Sequence, residues 1–318
     1  MSKSSIQAIC SVLLILAFVI IIDLLVGMVG RIAFKNLPDN QTELSRLNYG
    51  IAKTTADCII LGSSHASHHY NPVIISDSLN MTVYNAGEEG YGLTYSLALF
   101  KALLSRYTPK MVILDIKYEE SEEWISRVRD LKPYFKEYPT AFETDVMING
   151  NREHFRLLWN SYMYNSTLLR LLKSYITGNK SSSYRLDGYN PIPVKGNRTC
   201  AVRNQEVPAI AANPKYKDCL SELSLLCKQN GIALFAVSSP TLVKLKYESP
   251  AIPIINSLEI TYLDHFNDDF FLAHTELFRD EDHMFETGAD IFSEKISNEI
   301  NRIINNRNIK NQYIVKNL

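Results

Sequence analysis

The chain has 318 residues, 46% of them hydrophobic, enough to bury a sizeable core in one large domain or in one domain carrying an insertion. A formal net charge of -1 leaves no basic stripe of the kind that neutralises phosphates, so no nucleic-acid partner is expected. The five cysteines include no CxxC pair, which points to small buried thiols instead of a metal or disulfide framework.

Residues 6–30, IQAICSVLLILAFVIIIDLLVGMVG, are almost continuously apolar and long enough to cross a bilayer as a helix. No small-x-small cleavage site follows, so the expectation is an uncleaved anchor over residues 1–34. Lys3 on one side and Arg31 and Lys35 on the other nearly balance; the orientation adopted is a cytoplasmic N-terminus with the domain extracytoplasmic, in a periplasmic or extracellular space. Asp23, the single charge in the run, is expected at the membrane interface because a midplane carboxylate is costly.

A polar linker is read over 35–56, and a folded domain over 57–318. Five short apolar runs follow, at 58–62, 82–86, 111–116, 232–237 and 258–263. Continuous apolarity suits strands covered on both faces, so the fold class is α/β: a flavodoxin-like parallel sheet of about five strands with helices on both faces. Asn71-Pro72 and Asn213-Pro214 each offer an N-cap before a proline at the first helical position. Gly231 closes the second of these helices, along which Tyr216, Leu220, Leu223 and Cys227 recur at helical spacing. A last helix opens near Thr287, with Phe292, Ile296, Ile300 and Ile303 on its buried face.

Residues of about 118–212 break the alternation and are too long for an ordinary connection, so they are read as an inserted cap. Phe155, Trp159 and Tyr162 fall at helical spacing within it, a pattern more often core than carbohydrate groove.

Three segments lie where the strands' carboxyl ends open into loops, the place where a doubly wound sheet gathers reactive groups. They are Gly62-Ser63-Ser64, the stretch YNAGEEGYG containing Asn85, Gly87 and Gly90, and Asp280-Glu281-Asp282-His283 before the last helix. Together these resemble the SGNH (GDSL-type) hydrolase superfamily, over about residues 57–304 apart from the insertion. The resemblance implies Ser64 as nucleophile, His283 as its base and Asp280 as the carboxylate that orients the base. It also implies an oxyanion hole from the backbone N–H groups of Ser64 and Gly90. A serine hydroxyl is weakly nucleophilic and needs such a neighbouring base. The family's third block brings an asparagine to the oxyanion hole, and here Glu119 stands near that place; a carboxylate cannot donate unless protonated. His65 and Asn85 join Glu119 as pocket candidates.

The implied chemistry requires no cofactor and no metal. His65, His68 and His69 lack a matching Asp, Glu or Cys set, so His65 is expected beside Ser64 and the other two in loop hydrogen bonds. The expectation is an anchored serine esterase or O-acyltransferase working on an ester-bearing substrate such as an acetylated cell-envelope or exported polysaccharide. Its membrane contact is the N-terminal helix. A non-catalytic protein that uses the same crevice to bind glycans or to scaffold an envelope assembly is the competing reading.

Overall fold

The computed structural model describes residues 2–37, 42–117, 128–142, 155–165, 167–177, 185–194, 200–205, 214–245 and 249–316. In chain order the elements begin with α1 (Lys3–Lys35), α2 (Glu43–Ala52), β1 (Cys58–Leu61), α3 (Ser64–His69), α4 (Pro72–Leu79), β2 (Val83–Asn85), α5 (Leu93–Leu104) and β3 (Met111–Asp115). The insertion contributes α6 (Asn160–Tyr164), α7 (Thr167–Thr177) and β4 (Arg203–Gln205). Then come α8 (Pro214–Gln229), β5 (Ala233–Ser238), β6 (Val243–Leu245), α9 (Ile252–Ser257), β7 (Thr261–Asp264), α10 (Asp269–Ala273) and α11 (Glu286–Lys316).

Five strands form one parallel sheet in the order β2-β1-β3-β5-β7, and β4 pairs with β6 separately. Counted within the main sheet this is the flavodoxin-like order, with its switch point between β1 and β3. The five apolar runs became these five strands because both faces are covered. Ile59, Leu61, Val112 and Leu114 pack with α2, α5 and α8, whereas Cys58, Ile60, Met111 and Ile113 pack with α4 and α11. β7 starts at Thr261, later than the run suggests, because Leu258 to Ile260 turn out of α9 with Glu259 at φ 55.

The first Asn-Pro cap and the closing glycine follow the sequence signals, while Asn213 lies outside the described residues. The Asn71 side chain accepts from the Val73 N–H ahead of Pro72, and Gly231 (φ 66) ends the turn after α8. On α11, Phe292, Ile296 and Ile300 are fully buried. Within the 35–56 stretch read as a linker, α2 instead forms a helix opened by a Thr42–Ser45 capping box, and it sends Leu44, Leu47 and Ile51 into the core.

α1 is long and apolar enough to cross a membrane. One narrow face of its second half is buried: Asp23, Gly27, Gly30 and Phe34, at helical spacing. A Cβ on Gly27 would lie 2.3 Å from Asn160 Cγ, and one on Gly30 would lie 2.7 Å from Tyr164 Cδ1, so glycine is what lets α6 approach. Asp23 is therefore not a bare interfacial charge. It accepts from the Asn160 backbone and side-chain nitrogens (3.0 and 2.9 Å) and from the Ser161 backbone nitrogen and hydroxyl (2.8 and 2.7 Å).

Candidate active site

β1 ends one residue before Gly62, whose φ of 144 favours glycine; a Cβ there would meet Ala66 Cβ and Asp115 Cβ, each at 2.8 Å. The chain thus turns between β3 and α3 with Ser63 as N-cap and Ser64 as the first helical residue. All six residues of α3 are buried, although five of them are serine or histidine. Ser64 keeps 8% of its surface exposed, and among the described residues its hydroxyl has no hydrogen-bond partner.

The loop before α11 is closed by a bridge between Phe278 and Met284 and by the Arg279 N–H donating to the His283 carbonyl at 2.8 Å. Inside it, Asp280 Oδ1 accepts from the backbone N–H groups of Asp282 (3.0 Å) and His283 (2.9 Å) and lies 2.8 Å from His283 Nδ1. Arg279 donates to Asp280 Oδ2 at 2.7 Å. An Arg279 nitrogen also stands 3.2 Å from His283 Nδ1, but the nearer carboxylate takes the imidazole proton, leaving Nε2 as the basic nitrogen. Burial alone would raise the Asp280 pKa; the His283 charge, the Asp282 N–H and Arg279 outweigh it and hold the carboxyl at about 2. Burial lowers His283 below the usual histidine value despite the opposing pull of Asp280, so the ring is neutral and able to accept a proton near pH 7.

His283 stands edge-on to three rings of α3, with centroids 5.9 Å from His65, 5.5 Å from His68 and 6.4 Å from His69. His69 ties the parts together. Its Nε2 accepts from the Met284 N–H at 3.0 Å, so its proton sits on Nδ1, 2.9 Å from Ser239 Oγ beyond β5. His65 stacks on His69 at 4.8 Å and lies 4.0 Å from Asp115. Burial first, then neighbouring positive charge, holds both rings well below the usual value, so both are neutral.

His68 faces the insertion. Its Nδ1 is 2.6 Å from the Asn190 carbonyl and its Nε2 is 3.2 Å from Glu89, which also accepts from the Asn190 side chain at 2.8 Å. The bond to His68 is the main reason the Glu89 carboxyl sits at about 2. The Asn190 N–H donates to Ser67 O, so this stretch of the insertion lies across α3.

The structure thus gathers Ser64, His65, Asp280 and His283 at the carboxyl edge of the sheet. It makes the Asp280–His283 bond and does not make a hydrogen bond between Ser64 and His283. Asn85 is fully buried beneath α3, donating to the Ala66 and Tyr70 carbonyls (2.6 and 2.9 Å) and accepting from Gly87, so it braces the helix and does not line an open pocket. Gly90 occupies the turn before α5 at φ 76. Glu119 lies outside the described residues. Among the described residues no group of three or more His, Cys, Asp or Glu side chains is placed to hold a metal.

Sequence reasoning passed over Asp115, which closes β3 at the switch point. It accepts from the Tyr70 hydroxyl at 2.7 Å, and burial, opposed by that bond, pushes its carboxyl up to about 6. An aspartate ending an apolar strand run was the available signal. Glu89 and Arg279 were also missed, and only the tertiary fold reveals their partners.

No protein-family model matches the chain, and no curated protein matches it. The likeness to SGNH hydrolases therefore rests on the motifs quoted above.

Proposed function

We propose that the protein is a membrane-anchored serine esterase or O-acyltransferase of the SGNH type, with its domain outside the cytoplasm, acting on acyl esters such as acetyl groups of a cell-envelope or exported polysaccharide. The observation that supports this most is the Asp280–His283 pair: the carboxylate holds Nδ1–H, and the ring stands against the helix that begins with Ser64 with Nε2 unbonded among the described residues.

In this reading Ser64 Oγ attacks the ester carbonyl carbon while His283 Nε2 takes its proton. The resulting oxyanion accepts from the N–H groups of Ser64 and Gly90. Collapse expels the sugar oxygen, which recovers the proton from His283 and leaves an acyl-Ser64 ester. Water or a second sugar hydroxyl, deprotonated by His283, then attacks that ester and restores the serine. Hydrolysis and transfer differ only in which hydroxyl enters. The absent Ser64–His283 bond is compatible with this, since catalytic hydrogen bonds in substrate-free sites are often long and tighten on binding.

The glycan-binding or scaffold reading draws on the same absent bond and on the burial of Ser64. Acetate release from acetylated polysaccharide by the full-length chain in detergent separates the two. Turnover that falls at least about 10³-fold in Ser64→Ala and His283→Ala supports the enzyme. Glycan binding without turnover, unchanged in both variants, supports the scaffold.

A further inference from the structure

α7 buries Leu171 and packs Leu168 on the core, yet it also turns polar side chains inward and large apolar ones outward. Its inward face carries Arg170, which pairs with Asp130 and Glu43 at 2.5 Å each, together with Thr167 and Ser174; Ser174 bonds Thr42 at 3.1 Å. Its outward face carries Leu169, Leu172 and Ile176 at 74, 56 and 73% exposure, one stripe at i, i+3 and i+7. A helix facing water does not carry such an apolar stripe on its outer face. Just ahead of α6, Phe155 and Leu158 are 65 and 64% exposed and Trp159 is 37% exposed; of the three aromatics whose spacing suggested core, only Tyr162 packs against it. A cluster of this size is not ordinary surface for a protein facing water.

Both groups sit beside α1. Trp159 immediately precedes Asn160, which bonds Asp23, and the Tyr175 hydroxyl on α7 donates to Ala33 O at 2.7 Å. The outer surface of α1 stays apolar and exposed from Ile6 through Val29, about 36 Å of helix at 1.5 Å per residue. A bilayer core takes up about 30 Å. The half of α1 that carries the insertion therefore lies at, and partly within, the far side of the membrane; Arg31 and Lys35 stand at its end, and Asp23, the one acidic group of α1, is enclosed by Asn160 and Ser161.

We propose that the outward face of α7 and the Phe155, Leu158 and Trp159 cluster lie in the lipid leaflet from which α1 emerges, so that the insertion is a second membrane contact that fixes the domain against the bilayer. The inference rests on reading α1 as membrane-spanning. Lipid is the occupant because the patch continues the lipid-facing surface of α1 and turns its polar groups inward.

The chain has two tryptophans, so Trp124→Phe leaves Trp159 as the only one. The full-length variant in phosphatidylcholine nanodiscs is compared with a Leu14→Trp variant and a Leu169→Trp variant, each lacking both native tryptophans. Trp159 and Leu169→Trp are expected to lose fluorescence to lipids brominated near the headgroup and to resist aqueous iodide, while Leu14→Trp loses most to deep bromines. Quenching of Trp159 and Leu169→Trp by iodide alone, with Leu14→Trp still quenched by deep bromines, overturns the lipid contact and leaves the anchor standing. Iodide access at Leu14→Trp as well removes the anchor and the inference together. Shielding from both quenchers in nanodiscs that hold two copies assigns the patch to a second chain and overturns the lipid contact.

Discussion

α3 and α7 both depart from the usual surface helix, in opposite senses. α3 buries a run of serines and histidines, and each histidine meets a specific partner: His69 meets Met284 and Ser239, His68 meets Asn190 and Glu89, and His65 meets the His69 ring, while the Ser64 and Ser67 hydroxyls have no hydrogen bond among the described residues. α7 turns leucine and isoleucine outward, where no described partner covers them, and keeps its arginine inside. The polar helix is buried because a fixed constellation of imidazoles at the sheet's switch point holds it. On the lipid contact proposed above, the outward stripe of α7 is exposed because it faces lipid and not water. Burial of polar groups supports the proposed chemistry in one region, and exposure of apolar groups supports the proposed lipid contact in the other.

The largest effect expected on this contrast comes from Ser64→Ala. Activity drops at least about 10³-fold while thermal unfolding is unchanged, because the hydroxyl has no hydrogen bond among the described residues to lose. A large loss of stability in that variant would make Ser64 a packing residue like its neighbours on α3.

His69→Ala sharpens the same side. It removes the acceptor of the Met284 N–H and lets the loop bearing His283 drift, with kcat falling up to about 10²-fold and KM little changed, since misplacement by an ångström has that scale. Equal changes in kcat and KM would instead assign His69 to substrate binding.

On the α7 side, Asp23→Ala leaves the Asn160 and Ser161 N–H groups without their acceptor and weakens the docking of α6 by about 1–3 kcal/mol. Limited proteolysis of the reconstituted protein should become faster within the insertion, with fluorophosphonate reactivity at Ser64 retained. Unchanged proteolysis would mean that the glycine contacts alone carry the docking.

The smallest effect is in pH dependence. His65 and His69 have pKa values depressed in the folded state, so they contribute stability that is present above pH 6.5 and is lost as pH falls. Asp280, at about 2 against an ordinary 3.8, has the same sign and adds its loss between about pH 4 and pH 2. Asp115 and Glu88, raised by burial to about 6 and about 8, have the opposite sign and offset the histidines down to about pH 4. The apparent Tm should therefore decline most steeply below about pH 4, and Asp23→Ala should shift that curve downward without changing its pH midpoint.

Much of this contrast was only half legible in the sequence. The five apolar runs, the Asn-Pro starts and the periodic last helix expressed local rules that the fold obeys, so the sheet and its flanking helices could be read directly. α2 was passed over because only Leu44, Leu47 and Ile51 in a polar stretch announce it. Nothing local to α7 says which face turns inward; that depends on Asp130 and Glu43, distant in sequence. Asp23 drew notice as a lone charge, but its partners lie well over a hundred residues away. The Asp280-x-x-His283 spacing was readable because both groups share one loop, whereas the clamp from His69 to Met284 and the place of Asp115 needed the three-dimensional structure.

The account depends most on an activated Ser64. Intact-mass spectrometry of the full-length chain in detergent, after treatment with a fluorophosphonate probe, tests this directly. A single adduct, absent in Ser64→Ala and in His283→Ala, is the result predicted. An unlabelled but folded wild-type protein, or an adduct that persists in Ser64→Ala, would contradict it.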